Sequence, residues 1–581
     1  MQFMWMLSIT TTTPKEDTPT VGCSKFVLKV HHIDKQTWER FNFLINQGGK
    51  WVVPNGMNTG ITLYNSLTRS QVPLYIPLNN TCHWYMCGPT VYNISHIGHA
   101  CTYLRWDILR RILTDYFKIN VVSALGITDI DDKIISVAEK LNCSALSIAR
   151  KYENLFFKDM TSFNILEPFS ILRVSEHIDD IIRFIEKLIL SGKAYQLEGS
   201  VYFDTEVHGG RYGKLFPEAL LSEYPPGKKN LKKNERDFAL WKSGNARELK
   251  IEGALWDSPW GKGRPGWHVE CSAMASSLFG KHLDIHSGGR DLLYPHHENE
   301  LAQSEAFHAV DQWANYWLHF GLVNLHNEKM SKSSNCFVSV QEFLKSYFPD
   351  HLRMLCLLFK YNSVINYSDD ALKEAIVLVE RLQAFLCRAQ NVSHRLASIN
   401  LACGTVRFSP RDLKFKETLM QTKSLVHDYL KSDFDTPKAV RQVFKLINAA
   451  NNYLQEGPNS TDFRISIAAA PVRPAVNSLV ISECFRYVIS FFSMLGLRTL
   501  RSAFFSEQSE LEKQFLSFRS VVRSISLAAL KKRDLENGGY KDLLKECDRL
   551  RDEVFSKLGI FVEDPSVKVL NNCFSDHLKE S

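Results

Sequence analysis

The first regular apolar pattern falls at Trp84–Cys87, a short hydrophobic run broken by Gly88-Pro89, after which Leu104, Ile108 and Ile112 recur at helical spacing. That pattern predicts a strand, a loop and a helix. Val121–Leu125 forms a second strand-like run, and a helical pattern follows from Lys133 to Leu141. Leu283-Asp284-Ile285-His286 reads as a further strand end opening onto a turn at Ser287-Gly288-Gly289. Strands alternating with helices predict a parallel α/β sheet. Beyond about residue 370 the strand signals fade. There Asp435-Thr436-Pro437 sets a capping side chain ahead of a proline in a first helical turn. Leu543, Cys547, Leu550, Val554 and Leu558 keep helical spacing up to Gly559, a stripe expected to pack into a core. The architecture predicted is a doubly wound α/β domain followed by helical bundles.

Composition narrows the class without changing that picture. At roughly 100–200 residues per domain, 581 residues imply three to five domains. With 45% hydrophobic and 23% charged residues, collagen-like, low-complexity and disulfide-scaffold chains are excluded. No run of about 18 apolar residues occurs, so no transmembrane helix is expected. A net charge of +7 permits a polyanionic partner without requiring one. After Pro225-Pro226-Gly227 comes a basic run of Lys228, Lys229, Lys232, Lys233 and Arg236. It fits a solvated surface insertion and a phosphate contact equally well. Thirteen cysteines, irregularly spaced, predict a reducing compartment with mostly buried thiols and a few metal ligands. Met1–Thr20 carries Lys15, Glu16 and Asp17 and no arginine, a poor match to an Arg-rich, acid-poor transit peptide.

Three constellations carry chemistry. His96-Ile97-Gly98-His99 lies between the first strand and its helix, where free N–H groups and a partial positive charge suit phosphates. Two imidazoles there can donate to phosphate oxygens, and Gly98 lets a flat base approach. Alone, the four residues equally describe two surface histidines at a turn. Lys329-Met330-Ser331-Lys332-Ser333 is a small polar loop whose lysines can follow a pyrophosphate as charge builds. The ordered pair is far more specific than either piece. The third set is Cys87, Cys271, His296 and Glu300: thiolates, an imidazole and a carboxylate, a plausible zinc set. Pro295 suits a first helical position, placing His296 and Glu300 at i and i+4 on one face, but His297 and Glu298 leave rival sets open.

The chain resembles the cysteinyl-tRNA synthetases, a family of class I aminoacyl-tRNA synthetases. The matching segments are Cys87-Gly88-Pro89-Thr90-Val91-Tyr92 running into His96–His99, Gly126–Lys133, Gly263–Met274, Leu283–Glu300, Lys329–Ser333 and Ser432–Pro437. The resemblance implies a Rossmann-like parallel-sheet catalytic domain followed by all-α tRNA-binding domains. It implies an N-terminal extension or leader over 1–60 and a catalytic domain over 61–365, with an inserted segment at about 150–260. A DALR-like helical bundle would follow over 366–505, and a small anticodon-recognition region over 506–581.

It implies cysteine, ATP with Mg2+, and tRNA(Cys) as substrates, no membrane partner, and one Zn2+ per chain on Cys87, Cys271, His296 and Glu300. His96, His99, Lys329 and Lys332 would be catalytic, with His96, Gly98, His99, Asp291 and Lys332 binding ATP. Gly88, Thr90, Thr128, Trp267 and His286 would bind cysteine. Zinc would select a soft thiolate over the nearly isosteric serine, which shape alone separates by roughly 1–3 kcal/mol. Three departures stand out: Pro89 and Ser287 lean to the mitochondrial branch, Ser334-Asn335-Cys336 replaces the usual Leu-Gly-Asn, and Asp564–Lys568 replaces the usual C-terminal motif. Lys133-Ile-Ile-Ser136 lacks the second lysine linked to persulfide formation in some members. The expected compartment is the mitochondrial matrix, with the cytoplasm the alternative. Rival activities are a ligase passing cysteine to a small amine, and an inactive tRNA-binding paralogue.

Overall fold

A computed structural model describes residues 51–220, 232–325, 328–329, 337–403, 408–455, 477–498 and 539–551, with short pieces at 7–8, 29–30 and within 515–526. Thr81–Thr90 (β1), Asn120–Thr128 (β2), Ser170–Arg173 (β3), Leu283–Gly289 (β4) and Ala314–Phe320 (β5) form a five-stranded sheet in the order β5-β4-β1-β2-β3. Every pairing in it is parallel, as the alternation predicted. The strand order reverses at β1, whose neighbours are the next strand in the chain and one nearly two hundred residues later. A crevice opens beyond the carboxyl ends of the strands at such a switch point.

Two strand boundaries differ from the sequence reading. Gly88-Pro89 does not break β1, which runs on to Thr90, and β4 runs through Ser287-Gly288-Gly289 rather than turning there. A Cβ at Gly88 would stand 2.0 Å from the Gly126 carbonyl oxygen, so this glycine answers a close approach of β2 rather than a turn. The β1–β2 register shifts between Cys87 and Thr90, an irregularity that accommodates the missing N–H of Pro89.

Ile97–Arg111 (α1) leaves β1 and widens into a π-type turn at Ile112–Tyr116. Asp132–Leu141 confirms the helix read from Lys133, with Asp131 accepting from the Lys133 N–H at 2.9 Å. An antiparallel sheet of Ala194–Leu197, Ser200–Phe203, Phe238–Ser243 and Gly263–Pro265 stands between β3 and β4 in the chain. The described part of the basic run ties this sheet together: Lys232 donates to the Asp237 carbonyl and Lys233 to the Asp204 carboxylate. Lys228 and Lys229 lie outside the described residues.

Trp267–Phe279 (α2), Glu298–His308 (α3) and Pro349–Leu357 (α4) are among the further helices of this region. After Ile365–Tyr367, the last strand among the described residues, come Asp369–Cys403 (α5), Pro410–Lys431 (α6), Thr436–Gln455 (α7) and Ser478–Met494 (α8). Asp435 caps α7 by accepting from the Lys438 N–H at 3.1 Å, as its sequence signal predicted. In Gly539–Arg549 the expected apolar stripe buries Cys547 but leaves Leu543, in the first helical turns, 45% exposed. Val554, Leu558 and Gly559 lie outside the described residues. Among the described residues no helix is long and apolar enough to cross a membrane.

Two polar joints fasten the helical region to the rest of the chain. Asp433 and Phe434, between α6 and α7, both adopt the left-handed conformation, at φ 55° and 49°. The Asp433 carboxylate accepts from the Tyr64 N–H at 2.8 Å and the Tyr361 hydroxyl at 2.9 Å, contacts that offset the backbone strain. The second joint is wholly buried. Asp107 of α1 accepts from Arg111 at 2.8 Å, from Arg353 of α4 at 2.5 Å and from the Leu166 N–H at 2.9 Å. Arg353 also donates to the carbonyls of Phe163, Asn164 and Leu495, joining α1 and α4 to the end of α8.

Burial alone would raise the Asp107 carboxyl, but Arg353 and Arg111 hold it below its ordinary value. Arg353→Met should therefore lower the unfolding free energy by about 3–5 kcal/mol, because it strips one cation from a buried carboxylate. Urea unfolding measures this, and a loss under about 1 kcal/mol would mean that Arg111 alone satisfies Asp107.

Candidate active site and metal centre

Cys87 sits near the carboxyl end of β1 and Cys271 in the second turn of α2. The chain is extended at Tyr294 and turns helical after it, so His296 and Glu300 do face the same way, with Nε2 and Oε1 2.9 Å apart. Cys87 Sγ lies 3.7 Å from Cys271 Sγ, 3.7 Å from His296 Nε2 and 3.3 Å from Glu300 Oε1. With metal–sulfur bonds of about 2.3 Å and metal–nitrogen bonds of about 2.0 Å, a tetrahedral zinc site has S···S and S···N edges of about 3.8 and 3.5 Å. The observed separations therefore fit a metal centre before any ion is added. All four residues are buried, with Glu300 0% exposed.

The rival set left open by spacing also gathers: Cys87, His286, His297 and Glu300 bring one ligand atom each within 4.8 Å of one another. The cleft separates them: Cys87, Cys271 and His296 line an open cleft of about 720 Å³, whereas His286 and His297 do not. His297 Nδ1 lies 2.8 Å from His319 Nε2, and its Nε2 stands 3.9 Å from Glu300 Oε1. His286 lies one layer behind the cleft wall, its Nε2 2.9 Å from Glu300 Oε2 and its ring stacked on Trp317. It supports the carboxylate rather than facing the cleft.

The electrostatics suit a cation. The Cys271 thiol is pushed down to about 6, first by its hydrogen bond with Cys87, against burial. His296 is raised to about 10: burial opposes this, but the Glu300 carboxylate and Cys271 outweigh it. A divalent ion would displace those protons and take over their role. His296 turns Nε2 to the set and Nδ1 to His268 Nδ1 at 3.1 Å, and burial keeps His268 well below its ordinary value, a neutral acceptor. Trp267 stacks on His296 at 4.4 Å and lines the cleft with Gly88, Thr90 and Thr128. Thr128 donates to the buried Glu270 at 3.1 Å.

The same cleft is also lined by His96, Gly98, His99 and Asp291. His96 is the N-cap of α1, and the two imidazoles stack at 3.8 Å and cap each other's backbone. The His99 N–H donates to His96 Nδ1 at 3.4 Å and the His96 N–H to His99 Nδ1 at 3.5 Å. With both Nδ1 atoms accepting, each ring is left to donate from Nε2.

Lys329 closes a short strand, Glu328–Lys329, paired antiparallel with Val323–Leu325. Lys332 lies outside the described residues, but the chain returns beside the histidines: Ile97 N–H donates to Val338 O at 3.0 Å and Val340 N–H to Ser95 O at 3.1 Å. The sequence reading missed Tyr92, Tyr103 and Lys133 in the cleft wall, and His268 behind His296. Adjacency to Trp267 was the only signal for His268, and it says nothing about contact.

Residues 75–377 match the family model described as tRNA synthetases class I (C) catalytic domain. The chain is 40% identical over 547 residues to the probable mitochondrial cysteine--tRNA ligase of Xenopus tropicalis, covering 90% of this chain and 91% of that one. It is 36% identical to the cytoplasmic cysteine--tRNA ligase of Dictyostelium discoideum, covering 91% of this chain and 80% of that one. The fold is also that of the Mycobacterium tuberculosis methionyl-tRNA synthetase solved with methionyl-adenylate, at a TM-score of 0.54 and 15% identity over 73% of this chain and 93% of that one. Through this match over most of its length, the chain belongs to the cysteinyl-tRNA synthetases, within class I.

Proposed function

We propose that this protein is a cysteine--tRNA ligase: it activates cysteine with ATP to cysteinyl-adenylate and pyrophosphate, then passes the cysteinyl group to the 3′ end of tRNA(Cys). The observation that carries the reading is one cleft lined both by Cys87, Cys271 and His296 of the two-thiolate, imidazole and carboxylate set and by a helix-capping histidine pair. Cys87, Cys271, His296 and Glu300 would hold Zn2+, which when bound supplies a soft Lewis acid that prefers the substrate thiol to a hydroxyl. Trp267, Thr90 and Thr128 wall in the amino acid, so its carboxylate faces the nucleotide end. His96 and His99 donate from Nε2 to phosphate oxygens, and Asp291 stands at the adenosine side. Proximity and fixed donors are the protein's whole contribution to the first step.

Lys329 and Lys332 would follow the departing pyrophosphate. Lys332→Ala should slow activation about 10²–10³-fold, the scale of one transition-state donor, and a near-normal rate would remove that role. The helical bundle at 366–505 and the anticodon-recognition region at 506–581 would hold the tRNA, with Mg2+ accompanying ATP. The mitochondrial matrix is the proposed compartment, supported by the name of the Xenopus relative. The test is cysteine-dependent ATP–pyrophosphate exchange with serine as control and zinc quantified in the same sample. Exchange with cysteine alone, at one zinc per chain, is expected. No exchange from folded, zinc-loaded protein would favour an inactive tRNA-binding paralogue.

A further inference from the structure

The metal set gathers two thiolates, a carboxylate and an imidazole, so with a divalent ion it carries one net negative charge in a buried place. Such charge needs donors around it, and outer partners of metal ligands usually supply them. Two of the four ligands have theirs: Glu300 Oε2 faces His286 Nε2 at 2.9 Å, and His296 Nδ1 faces His268 at 3.1 Å. Among the described residues, the hydrogen bonds of ordinary geometry to the two cysteine sulfurs run to His286 or to other members of the set, while the Tyr85 hydroxyl lies close enough to Cys271 to act on it.

The Tyr85 hydroxyl is a buried donor left over beside the sulfurs. Tyr85 precedes Cys87 by two residues on β1, so both side chains leave the same face of the strand. It is 0% exposed, and its hydroxyl has no hydrogen-bond partner of ordinary geometry. Its place is set by the backbone: a Cβ on Gly126, the residue paired with Cys87 across β1 and β2, would meet the Tyr85 hydroxyl at 2.1 Å. Met274, one turn beyond Cys271 on α2, closes the same spot. Among the groups acting on this hydroxyl, Cys271 comes first after burial, followed by Cys87 and Glu300. A bare phenol in that position is a cost to the metal-free chain, since an unsatisfied buried hydroxyl is destabilising.

We propose that Tyr85 is a positioning residue of the metal centre, donating its hydroxyl proton in a hydrogen bond to the Cys271 sulfur once that sulfur is a metal-bound thiolate. The bond draws charge from the sulfur, keeping the ion electron-poor enough to accept the thiol of cysteine as a further ligand. This rests on the metal reading of the site but is tested separately from it.

The test is Tyr85→Phe, which removes one oxygen and keeps the ring packing. Zinc affinity is read by competition with a chromogenic chelator, and the thiolate-to-metal charge-transfer band is read in the Co2+-loaded chain. Melting curves are taken with and without zinc. Zinc should bind about 10–100-fold more weakly, and the Co2+ band should shift to lower energy. The metal-free variant should melt no lower than the parent, because the lost hydroxyl had no partner there. Parent-like zinc affinity and an unmoved band would overturn the proposal. So would an equal drop in melting temperature with and without zinc, which marks a merely structural hydroxyl. If the parent chain itself binds neither zinc nor Co2+, the metal reading fails and this proposal falls with it, an outcome distinct from either of those.

Discussion

Cysteine-dependent exchange should fall about 10³-fold in Cys271→Ser, because a Lewis-acid contact is worth several kcal/mol and each 1.36 kcal/mol is a factor of ten. Zinc content should fall with it, from one per chain towards none. The hydroxyl of serine is a poor ligand for zinc beside a soft thiolate site, and the substitution leaves Cys87, His296 and Glu300 packed at 2.9–3.7 Å around a missing corner. Discrimination should collapse as well. The residual preference for cysteine over serine should drop to the roughly 10–200-fold that pocket shape supplies. Metal analysis and exchange with both amino acids check the two claims together. A variant that keeps its zinc and its rate would place the metal, or the chemistry, elsewhere.

His99→Ala is the second large effect, and it should exceed the loss of a single donor. Removing one transition-state donor costs about 10²–10³-fold. Here the two imidazoles stack at 3.8 Å and each holds the other's backbone N–H, so deleting His99 also frees His96 to rotate away. Two donors that act as a unit fail together, and the activation rate should drop about 10³–10⁴-fold. The helix loses part of its N-terminal cap at the same time, about 1 kcal/mol of stability, which urea unfolding separates from the catalytic defect. His96→Ala should match His99→Ala in rate, and the double variant should be little worse than either. A double variant showing the product of two independent losses would mean that the rings act separately.

Much of this was legible in the chain. Alternating strand and helix patterns lead to the parallel sheet, and the change of texture near residue 370 falls where the last strand among the described residues, Ile365–Tyr367, gives way to α5. The residue types of the metal set and the histidine pair were in view from spacing and resemblance. The misreadings all fall on glycines. Gly88 and Gly288-Gly289 look like turn residues locally, yet all three lie inside strands, and β2 crowds Gly88 to 2.0 Å. A glycine that admits a neighbouring backbone and a glycine that turns the chain leave the same mark in a sequence.

Which elements form and which chemistries are available follow from local pattern, because periodicity and capping act between residues a few positions apart. Which imidazole meets the thiolates depended on the packed fold. His296 and His297 are adjacent, yet one faces the cleft and the other pairs with His319. It also set His286 behind Glu300, bound Arg353 to Asp107, and left the Tyr85 hydroxyl above Gly126. Those outcomes depend on which strands become neighbours and at what register, and that pairing is fixed by contacts between segments hundreds of residues apart, where local pattern carries no information.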